Sequence, residues 1–356
     1  MRTSRLNFAL ESGALQLPAT GKLLVLRPRI GDDLAMLPQD RVQIVQGFRP
    51  DHDAFAAQGY QVSPEVPLPD GPAGDTAAAL VCLPRAKADA RALVAQAVAA
   101  VADGGLVIVD GQKTDGVDSA LRDLRARVQV SDPVSKSHGK LFSFRVGAGA
   151  GAGADVFADW RAGPAEIDGG FRTIAGVFSA DGADRGSALL AAALPGKLPA
   201  RLIDLGAGWG FLSRAILARV GVTEKKRVLL ARVGVKELHL VEAEAAALNC
   251  ARHNIQDPRA HFHWADATVF KLDRGVDAVV CNPPFHTARE ADPGLGIAFL
   301  SAAARLLAGH GTLWLVANRH LPYDRALTTL FRDVEDIGGD AAFRVIRAAR
   351  PVKPNR

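Results

Sequence analysis

The chain has 356 residues, of which 48% are hydrophobic and 23% charged, so its composition is that of a folded protein long enough for two domains and excludes global disorder. Lys and Arg number 43 against 38 Asp and Glu, and the resulting net charge of +5 permits a nucleic-acid partner without requiring one. Three dispersed cysteines argue against a disulfide scaffold, and the lack of a long apolar run or a signal-peptide core predicts a cytoplasmic protein with no membrane association.

In the first part of the chain, short apolar runs alternate with a helical pattern. Runs typical of strands lie at 22–26, 42–45, 78–82 and 106–109. An Ala-rich segment at 86–102 is typical of a helix. Residues 147–154 repeat Gly-Ala four times and offer no side chains to pack, which predicts a linker. We therefore expect one domain at 1–146 and a second at 155–356.

The second part shows the same alternation. Its strand-like runs lie at 201–205, 237–241, 277–281 and 312–316. Apolar strands that alternate with helices predict a parallel sheet covered on both faces. Residues 80–84 and 280–284 each end a strand in a turn that contains proline, and each is followed by a helix, a Gly turn and another strand. This shared order of elements favours a duplicated doubly wound domain over a chance likeness.

A short tandem repeat interrupts the second part. Residues 217–222 recur unchanged at 230–235, 13 positions later. A tolerated surface insertion is favoured over a functional basic loop, because surface loops accept added length at little free-energy cost.

A glycine loop follows the first strand of the second part and opens a helix. It contains Asp204, Gly206, Ala207, Gly208 and Gly210. Glycines let a backbone turn tightly and approach a ligand closely, so we expect these residues to bind a cofactor. The spacing differs from the pyrophosphate loop of nicotinamide enzymes and lacks the lysine of a P-loop, which disfavours both of those activities.

Acidic residues follow the next two strands. Glu242 can accept hydrogen bonds from both hydroxyls of a ribose, and the 13-residue repeat accounts for its long distance from the loop in the chain. Asp266, with Ala267 beside it, can accept from an adenine amino group, or it can cap a helix instead. His261 and His263 lack a third ligand at a suitable spacing, so we expect no metal.

The most informative motif is Asn282-Pro283-Pro284-Phe285, at the carboxyl end of a strand. The Asn282 amide oxygen and the Pro283 carbonyl can both accept from an exocyclic amino group, and Phe285 offers a ring on which a base can stack. Asn282, Pro283 and Phe285 are therefore the candidate catalytic residues. Pro284 and His286 are expected beside the substrate, although His286 can equally cap a helix.

With these motifs, the second part resembles class I S-adenosylmethionine-dependent methyltransferases that carry N-P-P-F. More narrowly, it resembles the RsmC-type 16S ribosomal RNA guanine-N2 methyltransferases. The likeness runs from residue 171 to 349 and includes the stretches 176–187, 316–318, 321–323 and 343–348. It implies an α/β fold of two doubly wound, Rossmann-like methyltransferase domains in tandem, the first of them degenerate.

The resemblance implies methyl transfer from S-adenosyl-L-methionine to the exocyclic N2 of a guanine in small-subunit (16S) ribosomal RNA. It adds Asn282 to the cofactor-binding residues and places Phe178 and Asp184 beside the cofactor or the substrate. We expect the small ribosomal subunit as partner and a monomeric enzyme. In the first part, Arg27 and Pro28 replace the glycine loop and Leu83 stands where Asn282 stands, so that domain is expected neither to bind cofactor nor to catalyse.

Several alternatives remain open. An N-P-P-aromatic turn also serves enzymes that methylate guanine N2 in large-subunit ribosomal RNA, adenine N6 in DNA or a glutamine amide in a protein. The segment 343–348 and the duplicated first part favour the small-subunit guanine. A different class of protein is a non-catalytic RNA-binding or ribosome-assembly factor with a relict site, which the intact Asp204 loop, Glu242 and Asn282 disfavour.

Overall fold

The computed structural model describes residues 2–66, 75–147, 155–161, 163–219, 234–284, 286–287, 290–291 and 293–353. All of the expected Gly-Ala linker except Gly147 lies outside the described residues, as does most of the tandem repeat. The chain divides into two compact units, Met1–Pro164 with Ile174–Gly176 and Ala165–Thr173 with Val177–Arg356. In the part of the chain that is described, no helix is both long and apolar enough to cross a bilayer.

The division between the units falls after Pro164, whereas the sequence placed the start of the second domain at residue 155. The physical reason is that Phe157 and Trp160 are buried in the core of the first unit. The ring of Phe157 lies 5.8 Å from that of Phe144 and 5.3 Å from that of Trp160. These two aromatic side chains attach the segment that follows the linker to the first unit.

The first unit contains one seven-stranded sheet. Its helices are Arg2–Glu11 (α1), Arg49–Ala57 (α2), Lys87–Ala100 (α3) and Val117–Arg125 (α4). Its strands are Lys22–Leu26 (β1), Val42–Val45 (β2), Gln61–Ser63 (β3), Thr76–Cys82 (β4), Leu106–Gln112 (β5), Val134–Lys136 (β6) and Gly139–Arg145 (β7). The strand order is β3-β2-β1-β4-β5-β7-β6.

The second unit repeats this architecture. Its described helices are Arg185–Ala193 (α5), Phe211–Ala218 (α6), Ala245–Asn254 (α7), Pro293–Leu306 (α8) and Asp324–Leu330 (α9). Two short hairpins are Ala165–Ile167 (β8) with Phe171–Thr173 (β9) and His286–Thr287 (β14) with Glu290–Ala291 (β15). The main sheet consists of Arg201–Leu205 (β10), Glu237–Glu242 (β11), Ala260–Trp264 (β12), Val276–Cys281 (β13), Leu307–Asn318 (β16), Phe331–Gly339 (β17) and Phe343–Pro351 (β18). Its order, β12-β11-β10-β13-β16-β18-β17, matches that of the first sheet position by position.

The first five strands in the order of each sheet are parallel, as expected, but β7 and β18 run antiparallel to their neighbours at one side of each sheet. In the first unit, β7 pairs antiparallel with both β5 and β6. Ser137 and His138, with φ of +50° and +57°, form the two-residue turn that reverses the chain between β6 and β7. In the second unit, β18 pairs antiparallel with β16 and β17. Each sheet is therefore mixed, and the expected tandem, doubly wound α/β fold is confirmed.

Alternate residues of the central strands point into two separate cores, as expected for a sheet covered on both faces. Ile203 and Leu205 of β10 pack in one cluster with α8, whereas Leu202 packs in another with α5 and α6. β10 lies at the centre, parallel to β11 on one side and β13 on the other. The carboxyl ends of these three strands meet at one edge of the sheet, which is where doubly wound sheets bind ligands.

Candidate active site

The glycine loop after β10 is a tight turn that only glycine accommodates easily. Gly206, Gly208 and Gly210 have φ of +81°, +54° and +94°. The backbone N–H groups of Gly206 and Ala207 both donate to the carbonyl of Val241, at 2.9 and 3.0 Å. A Cβ on Gly210 would lie 3.3 Å from Ala251 Cβ in α7 and 2.8 Å from Ile255 Cδ1 just after it, whereas one on Gly208 would meet nothing within 4 Å. The loop is therefore packed against α7 at one end and open at its middle.

Glu242, at the end of β11, lies directly beside this loop. Its Oε2 accepts a hydrogen bond from the N–H of Gly208 and its Oε1 from the N–H of Glu244, both at 2.8 Å. Burial raises the pKa of this carboxyl group. Each carboxylate oxygen retains a lone pair for a further donor, so the side chain suits the two hydroxyls of a ribose.

Asp204 lies in β10, just before the loop, and is completely buried. Ser213 Oγ, in the first turn of α6, donates to its Oδ2 at 2.6 Å. Burial, together with the charge of Glu242, raises the pKa of Asp204 to about 7. Among the described residues, Oδ1 has no hydrogen-bond partner. The sequence analysis did not find Ser213, because a serine in a helix carries no signal of its own.

Asn282 follows β13 and is tied to the start of α5. Its Nδ2 donates to Asp184 Oδ2 at 2.9 Å and to Ser187 Oγ at 2.8 Å. Asp184 is also the N-cap of α5, since its Oδ2 accepts from the N–H of Ser187 at 2.8 Å. Of the two prolines after Asn282, Pro283 is buried and Pro284 is exposed.

One pocket joins these elements. It is lined by residues from the segment before α5, the glycine loop, the start of α6 and the end of β13: Phe178, Ser179, Asp184, Ser187, Gly206, Ala207, Gly208, Trp209, Phe211, Leu212 and Asn282. Phe178 is 59% exposed, so its ring is available to a ligand. The structure thus brings the expected residues Phe178, Asp184 and Asn282 together with the loop.

Two further residues that sequence reasoning missed hold the loop in place. Trp209, inside the loop, is buried against the rings of Phe171 and Phe211, and its Nε1 donates to the carbonyl of Phe178 at 3.0 Å. Asn254, at the end of α7, donates to the carbonyl of Trp209 at 2.8 Å and exchanges two hydrogen bonds with the backbone of Arg172. The only available signal was an aromatic residue within a glycine loop.

Of the other expected residues that the structure describes, Asp266 and Ala267 do not line this pocket. Oδ1 of Asp266 accepts from the N–H and Oγ1 of Thr268 at 2.8 and 2.6 Å, so this carboxylate caps a turn, and Ala267 is buried. Phe285 lies outside the described residues, and of His286 only the backbone, in β14, is described. Within the described ranges, no group of three or more His, Cys, Asp or Glu is arranged to hold a metal.

The counterpart of Asn282 in the first unit also differs from expectation. Leu26 of β1 pairs with Val81, as Leu205 of β10 pairs with Cys281. By this register the residue that corresponds to Asn282 is Cys82, so the expectation of Leu83 was wrong by one position. Cys82 and Cys281 are the same residue type but do not occupy equivalent positions, since Val81 is the counterpart of Cys281 in strand register. Burial raises the pKa of the Cys82 thiol to about 12, and a buried thiol is only a weak acceptor.

Comparisons with known proteins agree with this geometry. Residues 168–347, half of the chain, match the methyltransferase small domain family. The chain is 32% identical over 178 residues to ribosomal RNA large subunit methyltransferase G of Aeromonas salmonicida (strain A449), covering 49% of this chain and 45% of that protein. It is also 32% identical over 178 residues to ribosomal RNA small subunit methyltransferase C of Hahella chejuensis (strain KCTC 2396), covering 50% and 48%. The chain thus spans slightly less than half the length of these curated relatives.

A solved structure extends the likeness to both units. The T. thermophilus 16S rRNA N2 G1207 methyltransferase (RsmC), in complex with AdoMet and guanosine, superposes with a TM-score of 0.73. The superposition covers 94% of this chain and 90% of that chain, at 23% sequence identity. At this identity the likeness establishes the fold.

Proposed function

We propose, because this chain belongs to the methyltransferase small domain family, that it transfers a methyl group from S-adenosyl-L-methionine to the exocyclic N2 of a guanine in small-subunit (16S) ribosomal RNA. The observation that best supports this proposal is the position of the side-chain amide of Asn282. Its NH2 is held by Asp184 and Ser187, and it lines the same pocket as the glycine loop. An amide oxygen beside a cofactor loop is suited to hold an amino group that is to be methylated.

The residues present fit S-adenosyl-L-methionine. Glu242 offers two carboxylate oxygens with free lone pairs for the ribose hydroxyls, and the backbone at Gly208 is open to a close approach. Asp204 connects the end of β10 to the first turn of α6, because it accepts from Ser213 Oγ. The bound cofactor supplies a sulfonium methyl group, which is already strongly electrophilic. We infer that Gly206, Ala207 and Gly210 shape the cofactor pocket and that Asp266 with Ala267 borders its adenine end.

The chemistry required of the chain is mainly positioning. Asn282 Oδ1 and the Pro283 carbonyl accept the two amino hydrogens of the guanine, which directs the nitrogen lone pair towards the methyl group. Phe178, with Pro284, Phe285 and His286, forms the substrate side of the site. With S-adenosyl-L-methionine bound, its methyl group would pass from sulfur to this nitrogen, leaving S-adenosylhomocysteine, and the proton released from nitrogen would pass to solvent.

The choice of the small subunit rests on two likenesses, the Hahella small subunit methyltransferase C and the RsmC fold over both units. Relatives named large subunit methyltransferase G match equally well over the second unit, so guanine N2 in large-subunit ribosomal RNA is the second candidate. Both candidates use the same site and the same mechanism. We infer that the protein acts as a monomer in the cytoplasm.

The test is transfer of labelled methyl from S-adenosyl-L-methionine to separated ribosomal subunits and to their naked RNAs, all from cells that lack this gene. Label in small-subunit RNA, recovered as N2-methylguanosine, supports the proposal. Label only in large-subunit RNA selects the second candidate. Cofactor binding without RNA labelling would redirect the search to DNA and to protein glutamine. Absence of cofactor binding would favour an RNA-binding assembly factor with a relict site.

A further inference from the structure

The side-chain amide of asparagine can present either its oxygen or its NH2 group to a ligand. At Asn282 the two hydrogens of Nδ2 are both used, one towards Asp184 Oδ2 at 2.9 Å and one towards Ser187 Oγ at 2.8 Å. Both acceptors lie at the start of α5, Asp184 as its N-cap and Ser187 in its first turn. With the NH2 group directed at this helix, the oxygen is the part of the amide that is left for a ligand.

The acceptors at the start of α5 are themselves fixed. Asp184 is the N-cap, and its Oδ2 accepts from the N–H of Ser187 at 2.8 Å, which determines the orientation of the carboxylate. Ser187 is 8% exposed, so water has little access to its hydroxyl group. A Cβ on Gly186 would lie 3.1 Å from Asp184 Oδ2 and 3.2 Å from the ring of Phe343. The carboxylate is thus packed closely over a glycine.

We propose that Asp184 and Ser187 are positioning residues that lock the amide of Asn282, with its NH2 towards α5, so that its oxygen accepts from the amino group of the substrate. This inference rests on the proposed function and deepens it. If the amide turned over, its NH2 would face the amino hydrogens of the substrate, and donor would meet donor. The lock therefore selects a nitrogen that carries hydrogens over a keto oxygen at the same place.

This assignment changes the role expected for Asp184. The sequence placed it beside the substrate, and it does line the pocket. Its Oδ2, however, accepts from both the Ser187 N–H and Asn282 Nδ2. Asp184 consequently acts on the substrate through Asn282. A carboxylate that accepts from the amide NH2 also draws negative charge towards the amide oxygen, which strengthens that oxygen as an acceptor.

The lock is tested first without any activity. The chain has six asparagines, so selective ¹⁵N-asparagine labelling gives few side-chain amide signals, and Asn282→Ala identifies the signal of Asn282. We expect slow hydrogen exchange of the Asn282 NH2 in the full-length protein, and exchange at least about fivefold faster in Ser187→Ala. The amide of Asn254, held by Arg172 and Trp209, is the internal control and should not change. Equal exchange of the Asn282 NH2 in wild type and Ser187→Ala would overturn the lock.

Kinetics then test whether the lock matters to the reaction. We expect kcat to fall about 10-fold in Ser187→Ala and about 100-fold in Asp184→Ala, with the dissociation constant of S-adenosyl-L-methionine changed by less than about threefold. Asp184→Asn should recover most of kcat, because its amide oxygen can accept the same two hydrogen bonds. A loss of cofactor affinity that matched the loss of kcat would contradict a positioning role.

Asp257→Ala is the matched control for stability. Asp257 caps a turn by accepting from the N–H of Arg259 at 3.0 Å, so its loss should destabilise the second unit without touching Asn282. If Asp184→Ala and Asp257→Ala show the same kcat, the inference fails. If wild type methylates no RNA, the proposed function fails, while the exchange of the Asn282 amide still reports whether the lock exists.

Discussion

The two units share a backbone turn after their first strand but differ in the side chains placed on it. Gly206 has φ of +81°, and Arg27, at the corresponding position in the first unit, has φ of +59°. The N–H of Gly206 donates to Val241 O at 2.9 Å, and that of Arg27 donates to Val45 O at 2.8 Å. The first unit therefore retains the left-handed conformation of a glycine turn with an arginine in it, a conformation that disfavours residues with a Cβ.

The residue that ends the second strand shows the same relation. Glu242 Oε1 accepts from the N–H two residues later, and Gln46 Oε1 accepts from the N–H of Phe48 at 2.9 Å. The second polar atom of each side chain makes a different contact. Glu242 Oε2 accepts from the N–H of Gly208, whereas Gln46 Nε2 donates to the carbonyl of Pro28. In the first unit a buried donor thus stands where the second unit has the acceptor that we propose for a ribose. The comparison teaches that two units of the same fold can keep one backbone turn while the side chains placed on it change from acceptor to donor.

The largest effect on activity is expected from substitution of Asn282, whose counterpart in the first unit is Cys82. We expect Asn282→Ala to lower kcat by about 10²- to 10³-fold, because the amino nitrogen loses one of the two acceptors that direct it. Cofactor affinity should change by less than about threefold. Single-turnover methyl transfer and calorimetric titration of S-adenosyl-L-methionine measure the two quantities. Cys82→Ala is the control in the first unit and should leave kcat unchanged. Retention of a tenth or more of the activity in Asn282→Ala would remove Asn282 from the mechanism.

The next effect concerns the acceptor at the end of the second strand. Glu242→Gln gives the second unit the residue type of Gln46, and we expect cofactor affinity to fall about 10- to 100-fold. The new NH2 group would face the N–H of Gly208 and could accept nothing from a ribose. Titration with S-adenosylhomocysteine measures the change. Glu237→Gln, on the same strand and ion-paired to Arg201, is the control and should bind normally. Normal binding of S-adenosylhomocysteine by Glu242→Gln would show that Glu242 does not bind the cofactor.

A third prediction uses the buried carboxyl of Asp204, whose counterpart in the first unit is the apolar Val25. The pKa of Asp204 is raised from 3.8 to about 7 by burial, so the unfolded chain loses this proton at a lower pH than the folded protein does. The free energy of unfolding therefore falls as pH rises from about 4 to about 7. Asp204→Asn has no such proton and should lose about 1–3 kcal/mol less stability than wild type between pH 5 and pH 8. Urea unfolding at both pH values provides the measurement, and parallel pH profiles would refute the assignment.

Some strands and some residues of the candidate site could be predicted from the sequence, and others could not. The strands at 22–26, 42–45 and 201–205 were predicted exactly, because each is an apolar run between turn residues. β17 was missed, since its sequence mixes charged residues and glycines with apolar ones. In the site, Glu242 and Asn282 were found because a polar residue ends a buried strand. Ser187 was not assigned a role, because its contact with Asn282 joins residues 95 positions apart and depends on the closed fold.

The smallest expected effect tests the retained turn itself. If Arg27 is held in a strained left-handed conformation, Arg27→Gly should make the first unit more stable than Arg27→Ala by about 1 kcal/mol. Both variants remove the arginine side chain and its contacts, so their difference isolates the backbone conformation from those contacts. Gly206→Ala should destabilise the second unit by the same preference for glycine, and by more, since a Cβ there would lie 3.2 Å from Phe299 Cε1. Chemical denaturation followed by near-ultraviolet circular dichroism measures both changes. Equal stability of the two Arg27 variants would mean that the left-handed conformation at position 27 costs no free energy, and the inference of strain would be wrong.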